Sequence, residues 1–335
     1  VKNSGSNVKT VLLLLSLCLV WGGVGCTEPK APAVAQVFQG THPIQVTVTV
    51  GMVADLVRAI GGDHVQVQQL MGATVDPHLY KPTRDDTAAL LGADIIFYNG
   101  LMLEGKMAET LKNFSHRRRT VPVAEVLDLH EDGQAAAEAH PDPHVWMNVA
   151  MWSQVAQGIG DELARFDPQH QADYQTASKK LRTQLQALHQ YGVEAMQGVP
   201  EGHRVLVTSH DAFRYFGEAY GVEVQAVQGI STESEAGLSR INELVDMLVA
   251  RKITSVFIES SVPKESIEAL LRGAASRQHQ VEIAGSLYSD AMGPEGTYEG
   301  TYIGMMDHNL STIARALGSA QVPDNGFQGY AADVE

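Results

Sequence analysis

At 335 residues and 44% hydrophobic composition, the chain can fill two cores of ordinary size, so two domains are expected. Its formal charge of −15 excludes nucleic acid as a partner, since phosphate contact calls for the opposite sign. The acids read mainly as the solvated exterior of a secreted protein.

In chain order, Lys2 and Lys9 flank no acid, and the run from Val11 to Val20 is almost wholly apolar before Trp21-Gly22-Gly23-Val24-Gly25-Cys26. The run is too short to span a membrane comfortably and reads as a signal peptide over residues 1–25. Cys26 after Val24-Gly25 resembles a bacterial lipobox, with Gly23 standing where Leu is usual, so lipidation and membrane anchoring at Cys26 are expected. Cys18 falls within the signal, which leaves one cysteine and no internal disulfide in the mature chain. The Ala-, Pro- and Gln-rich stretch from Thr27 to Thr41 reads as a flexible tether, part of a segment spanning 26–43.

Ile44 to Val50 alternates strictly, as a strand does, and Gly51 leads into helical spacing from Met52 to Ile60. Strands are expected at Val65–Leu70, Ala93–Asn99 and Thr120–Val123, with helices at Arg84–Leu91 and Leu103–Asn113. Leu129 to Pro141 breaks the rhythm with acids, alanines and two histidines, and reads as a loop. Pro168 to Met196 loses the strand pattern and predicts one long helix joining two lobes. The βα rhythm then resumes with strands at Arg204–Thr208, Val222–Val227, Ile253–Glu259 and Gln280–Gly285, and helices at Phe213–Tyr220, Glu235–Arg251, Lys264–Arg277 and Met305–Leu317. The fold expected is therefore α/β: two lobes at 44–165 and 199–318, each a mainly parallel sheet flanked by helices, a connecting helix at 166–198, and a tail at 319–335.

Four segments end a strand-like run with a metal-competent side chain: Val75-Asp76-Pro77-His78, Asp142-Pro143-His144-Val145-Trp146, Thr208-Ser209-His210-Asp211 and Tyr288-Ser289-Asp290-Ala291. In an open parallel sheet, ligands bind beyond the carboxyl ends of the strands, where these residues fall. Three imidazoles and one carboxylate suit zinc, manganese or ferrous iron; calcium and magnesium prefer all-oxygen shells, and cysteine for copper(I) is lacking. Asp76, Asp211 and Glu259 are candidate acceptors for the second ring nitrogens of the histidines. The remaining histidines, among them His64, His116, His170, His189, His203, His279 and His308, read as surface or packing residues.

Those four motifs, together with Phe257-Ile258-Glu259-Ser260-Ser261 and Gly300-Thr301-Tyr302-Ile303-Gly304-Met305, resemble the TroA-like family of zinc and manganese receptors of ABC importers. The likeness runs from Ile44 to about Leu317. It implies two βα lobes joined by one long helix, with one zinc or manganese ion per chain held by His78 and His144 from the first lobe and His210 and Asp290 from the second. It also implies delivery to the transmembrane subunits of a permease by a monomeric, extracytoplasmic receptor. Family members with glutamate at the third position are associated with manganese, whereas His210 matches the three-histidine type. Dedicated zinc receptors often carry a long His-rich acidic loop before the second ligand, and Leu129 to Asp142 has only His130 and His140.

An all-protein shell favours carriage over catalysis, because catalytic zinc keeps an open position. Neither His-Glu-x-x-His nor Gly-x-Ser-x-Gly occurs, so no enzyme is expected. The rival from another class is a surface adhesin or interaction lipoprotein whose metal is structural; it predicts unfolding on chelation. A receptor for iron chelates would need basic groups at the motifs, and none supplies an Arg. A zinc hydrolase would need a metal-bound water.

Overall fold

The computed structural model describes residues 37–129 and 141–334. The signal and Cys18, the lipidation site Cys26, and most of the 129–141 loop with His130 and His140 lie outside them. Residues 37–43, which composition assigns to the tether, belong to the folded unit: Phe38 donates its backbone N–H to Phe166 O at 2.6 Å and packs on that residue's ring.

The first lobe is a four-stranded parallel sheet in the order β2-β1-β3-β4, with β1 at Ile44–Val48, β2 at Val65–Gln69, β3 at Ile95–Tyr98 and β4 at Arg119–Pro122. Ile44, Val46 and Val48 of central β1 are buried, as are Ile95, Ile96 and Phe97 of β3. Edge strand β2, Val-Gln-Val-Gln-Gln, alternates half-buried and exposed because only one face meets the core. The crossovers are α1 (Gly51–Gly61), α2 (Arg84–Gly92) and α3 (Ala108–Ser115).

Two further helices follow. The sequence reading has no element over Val149–Phe166, where the structure has α4. Asn148 starts it by accepting from the backbone N–H of Ala150 and Met151 at 3.0 and 3.3 Å. Its interior glycines obscure the helical pattern, and one has a packing reason: a Cβ at Gly160 would stand 2.7 Å from Ser178 Cβ. After a short turn comes α5 at Gln171–Gln197, 27 residues and so about 40 Å long. Its buried side chains Tyr174, Ser178, Leu181, Leu185, Leu188, Tyr191 and Ala195 recur every three or four residues, as one helical stripe must.

The second lobe has two parallel pairs. One is β5 (Val205–Thr208) with β6 (Glu223–Ala226), the other β7 (Ser255–Glu259) with β8 (Glu282–Leu287), and β5 lies against β7. Helices α6 (Arg214–Tyr220), α7 (Leu238–Arg251), α8 (Glu265–Ser276) and α9 (Tyr302–Ala316) complete it. The tail is more ordered than its Pro and Gly suggest: α10 spans Gly326–Val334, and buried Phe327 donates its N–H to Asp307 Oδ1 at 2.8 Å.

The apolar interior departs from the expected two separate cores. A smaller cluster, including Val205, Val207, Leu248, Val256 and Leu270, belongs to the second lobe alone. The larger runs without a break from β1 and β3 through α4 and α5 to Phe257, Tyr302, Met305 and Leu310, and residues 36–335 form one compact unit. The connecting helix is the reason. It packs on α1 and α4 of the first lobe and on α6 and α9 of the second. A Cβ at Gly192 would meet both Tyr220 and Leu310 at 2.7–2.8 Å.

Candidate metal centre

Each candidate ligand lies in a loop that follows a strand or leads into a helix, and hydrogen bonds fix each loop, local ones in the first lobe and ones from residues distant in sequence in the second. In both Asp-Pro-His segments the aspartate bonds two residues ahead. Asp76 Oδ1 accepts the backbone N–H of His78 at 2.9 Å, and Asp142 Oδ1 that of His144 at 3.0 Å. Proline fixes the backbone between them. His210 follows β5, and its backbone N–H donates to Glu259 Oε1 at 2.9 Å. Asp290 follows β8, and its loop is clamped by Asn309, which receives the backbone N–H of Tyr288 at 2.9 Å and donates to Tyr288 O at 2.7 Å.

The structure brings His78, His144, His210 and Asp290 together. All four are buried, and one ligand atom from each lies within 4.8 Å of the others. His144 Nε2 is 3.2 Å from Asp290 Oδ1, His210 Nε2 is 3.1 Å from Asp290 Oδ2, His78 Nε2 is 3.2 Å from His144 Nε2, and His78 Nε2 is 3.9 Å from Asp290 Oδ2. A tetrahedral shell with bonds of ~2.05 Å spaces its donors roughly 3.3 Å apart, so the set has the dimensions of such a shell.

Hydrogen-bond geometry points the same way. Two imidazole Nε2 atoms face each other, and only one of such a pair can donate. His210 Nε2 and both oxygens of Asp290 are buried without a well-formed hydrogen bond, although the ion-pair distances between them are short. Buried polar atoms orphaned around a common point are what a cation satisfies.

The second ring nitrogens divide the expected acceptors. His210 Nδ1 makes a very short contact with Glu259, which also takes that residue's backbone N–H. His144 Nδ1 bonds Asp142 Oδ1 at 2.7 Å. Sequence motifs alone do not single out Asp142 as an acceptor, although it stands in the same segment as His144; the repeated Asp-x-His spacing is the signal that points to it. Asp76 takes the backbone N–H of His78 rather than its ring, and its other oxygen accepts from Thr232 Oγ1 at 2.6 Å. Asp211, the neighbour of His210, does not take the outer role either: Glu259 does.

These partners set the charge of the site. Burial pushes His144 toward neutrality, but the carboxylates of Asp142 and Asp290 outweigh it and raise its pKa to about 9. His210 is likewise raised well above the ordinary imidazole value, burial being overcome by Glu259 and Asp290. His78 has no such outer carboxylate, and burial lowers it to about 4. Asp290, despite burial, is held far below the usual carboxylate range by His210 and His144.

Residues 46–316 match the family model described as the zinc-uptake complex component A, periplasmic. The chain belongs to this family. Within reach of the zinc-uptake component A family, it is 44% identical over 274 residues to the manganese-binding lipoprotein MntA of Bacillus subtilis, covering 82% of this chain and 90% of that one. It is 43% identical over 275 residues to the zinc-binding protein TroA of Treponema pallidum, covering 82% and 89%. The solved structure of that periplasmic zinc-binding protein superposes with a TM-score of 0.79, over 81% of this chain and 98% of the other. The resemblance read from the motifs and the α/β architecture are both borne out by these relatives.

Proposed function

We propose that this chain is the extracytoplasmic receptor of an ABC-type metal importer, binding one zinc or manganese ion through His78, His144, His210 and Asp290. The observation that carries this reading is the convergence of four buried donors on one point, two from each lobe, with the oxygens of Asp290 unsatisfied. Three imidazoles and a carboxylate match the chemistry of these ions. The names of the relatives, a manganese-binding lipoprotein and a zinc-binding protein, support the same cargo.

The site serves carriage. Four protein donors leave no position for an activated water, so the ion is the cargo rather than a catalyst. Lipidation at Cys26 fits the lipoprotein relatives and would hold the receptor at the membrane face. Among the described residues no helix is long and apolar enough to cross a membrane. The receptor acts as a monomer that docks on the transmembrane subunits of the permease. Equal division of the donors between lobes means that a small displacement of either lobe halves the shell, which gives docking a route to release.

Metal analysis of protein purified without added metal, followed by competition titration, tests the assignment. One tightly held ion per chain is expected, with its affinity reduced at least roughly a hundredfold by Asp290→Ala or His210→Ala. Native stoichiometry and affinity in both variants would place the cargo elsewhere.

A further inference from the structure

A second group of histidines lies at the other end of the first lobe, where its strands begin. His42 stands two residues before β1, His64 directly before β2, and His170 in the turn between α4 and α5. The length of a five-residue strand, roughly 16 Å, separates this end from the loops carrying His78.

The geometry is convergent. His42 Nε2 and His170 Nδ1 lie 2.8 and 2.7 Å from the same atom, Asp167 Oδ2, and the Tyr174 hydroxyl donates to that oxygen at 2.8 Å. Donor atoms of His42, Asp167 and His170 all fall within 4.8 Å of one another. The Asp167 side chain is 4% exposed, whereas those of His42 and His170 are 29% and 19% exposed, so the group has a buried anionic floor and a mouth open to water. His170 is further fixed by the His64 ring stacked on it with centroids 3.9 Å apart, and His64 Nε2 is held by Asp173 at 3.0 Å.

A carboxylate oxygen has two lone-pair directions, and here it meets three donors. Burial would raise Asp167, but the bonds from His170, His42 and Tyr174 keep its pKa below the usual range, and it stays ionised. Two imidazoles and one carboxylate are a zinc-type donor set, and Tyr174 is the kind of hydroxyl that orients a ligating carboxylate from outside.

We propose that His42, Asp167 and His170 form a second, solvent-facing site for a divalent transition metal ion of the zinc type, with water completing its shell. On binding, each neutral imidazole exchanges tautomer: the nitrogen facing Asp167 gives up its N–H, the other ring nitrogen takes a proton, and the freed lone pair turns to the ion with no net change in the ring's charge. The bound ion joins the segment before β1 to the turn between α4 and α5, where Asp167 lies 125 residues from His42 in sequence, beside the Phe38 contact with Phe166. It binds more weakly than the interlobe site because it has three protein donors in place of four and is open to water.

The full chain, stripped by chelation, is titrated with zinc by calorimetry. Two equivalents are expected, one tight and one weaker. His42→Ala with His170→Ala removes the weaker equivalent only, and Asp290→Ala removes or weakens the tight one only. His42→Gln, which keeps a hydrogen bond to Asp167 but lacks an imidazole, lowers the weaker affinity by more than roughly tenfold while the tight equivalent reports an intact fold. A single equivalent in the native chain overturns the proposal. So does a weaker equivalent that survives His42→Gln, or one that disappears instead in His130→Ala with His140→Ala.

Discussion

The indole N–H of Trp146 crosses from the first lobe to the second and donates to the backbone oxygen of Ser289 at 2.9 Å. Trp146 is two residues past His144, and Ser289 immediately precedes Asp290. The link thus ties together the two ligand loops that meet at 3.2 Å. The Tyr302 hydroxyl reinforces it by donating to Trp146 O at 2.6 Å.

Trp146→Phe should therefore loosen the Asp290 loop. A buried carbonyl loses its donor, which costs ~1–3 kcal/mol of stability. Thermal unfolding should register that loss, and hydrogen exchange at 288–291 should quicken. Unchanged exchange in this loop would show that Asn309 alone holds it.

Metal affinity should rise with pH in a manner set by two imidazoles rather than three. His144, with a pKa of about 9, and His210, raised well above its ordinary value, are protonated near neutrality and must each release a proton to bind. His78, at about 4, is already neutral there and releases none. Between pH 6 and 8 the logarithm of the affinity should climb by about two per pH unit. The slope should lessen as pH passes about 9, and steepen again only below about pH 5, where His78 also takes a proton. Calorimetry in buffers of different ionisation enthalpy counts the protons directly; a count near three, or near zero, contradicts this charge state.

Glu259→Gln and Asp142→Asn should each weaken metal binding by roughly 10–100-fold, because each removes the anionic partner of a ligating ring. Asp211→Asn should leave affinity within about threefold of native, since its carboxylate is not the partner of the His210 ring. Competition titration with a chromogenic chelator separates the three. Equal losses in all of them would mean that general negative charge, not ring orientation, is what matters.

Chelation should leave the protein folded. The larger core passes through α4, α5 and α9 without involving the ion. Far-ultraviolet circular dichroism should be unchanged on metal removal. Stability should fall only by the linkage contribution, about 4 kcal/mol at a ligand concentration a thousand times the dissociation constant, read as a lower melting temperature. Loss of secondary structure on chelation would favour a structural metal and the adhesin reading.

Much of this was legible in the sequence because the signals are local. Alternation marks β1, and the four ligand loops are recognisable because each follows a strand or carries the Asp-Pro-His turn. The elements that escaped depend on contacts distant in sequence. Gly158 and Gly160 blur the pattern of α4, and the reason for Gly160 is a neighbour on another helix, Ser178. The outer role of Asp142 looks in sequence like turn chemistry, since the same oxygen serves both the backbone and the ring of His144. The His42 and His170 group is assembled from residues 128 positions apart, with nothing in either local stretch to join them.

Glu259, Asp142 and Asn309 hold the donor loops through contacts that owe nothing to the cargo. Loading is then a matter of an ion shedding its hydration shell at a ready-made socket, with little searching by the polypeptide. Unloading faces the opposite situation. Because one interior serves both halves, prising the socket apart strains packed side chains such as Tyr302 and Leu310, and that work has to come from the machine on which the receptor docks.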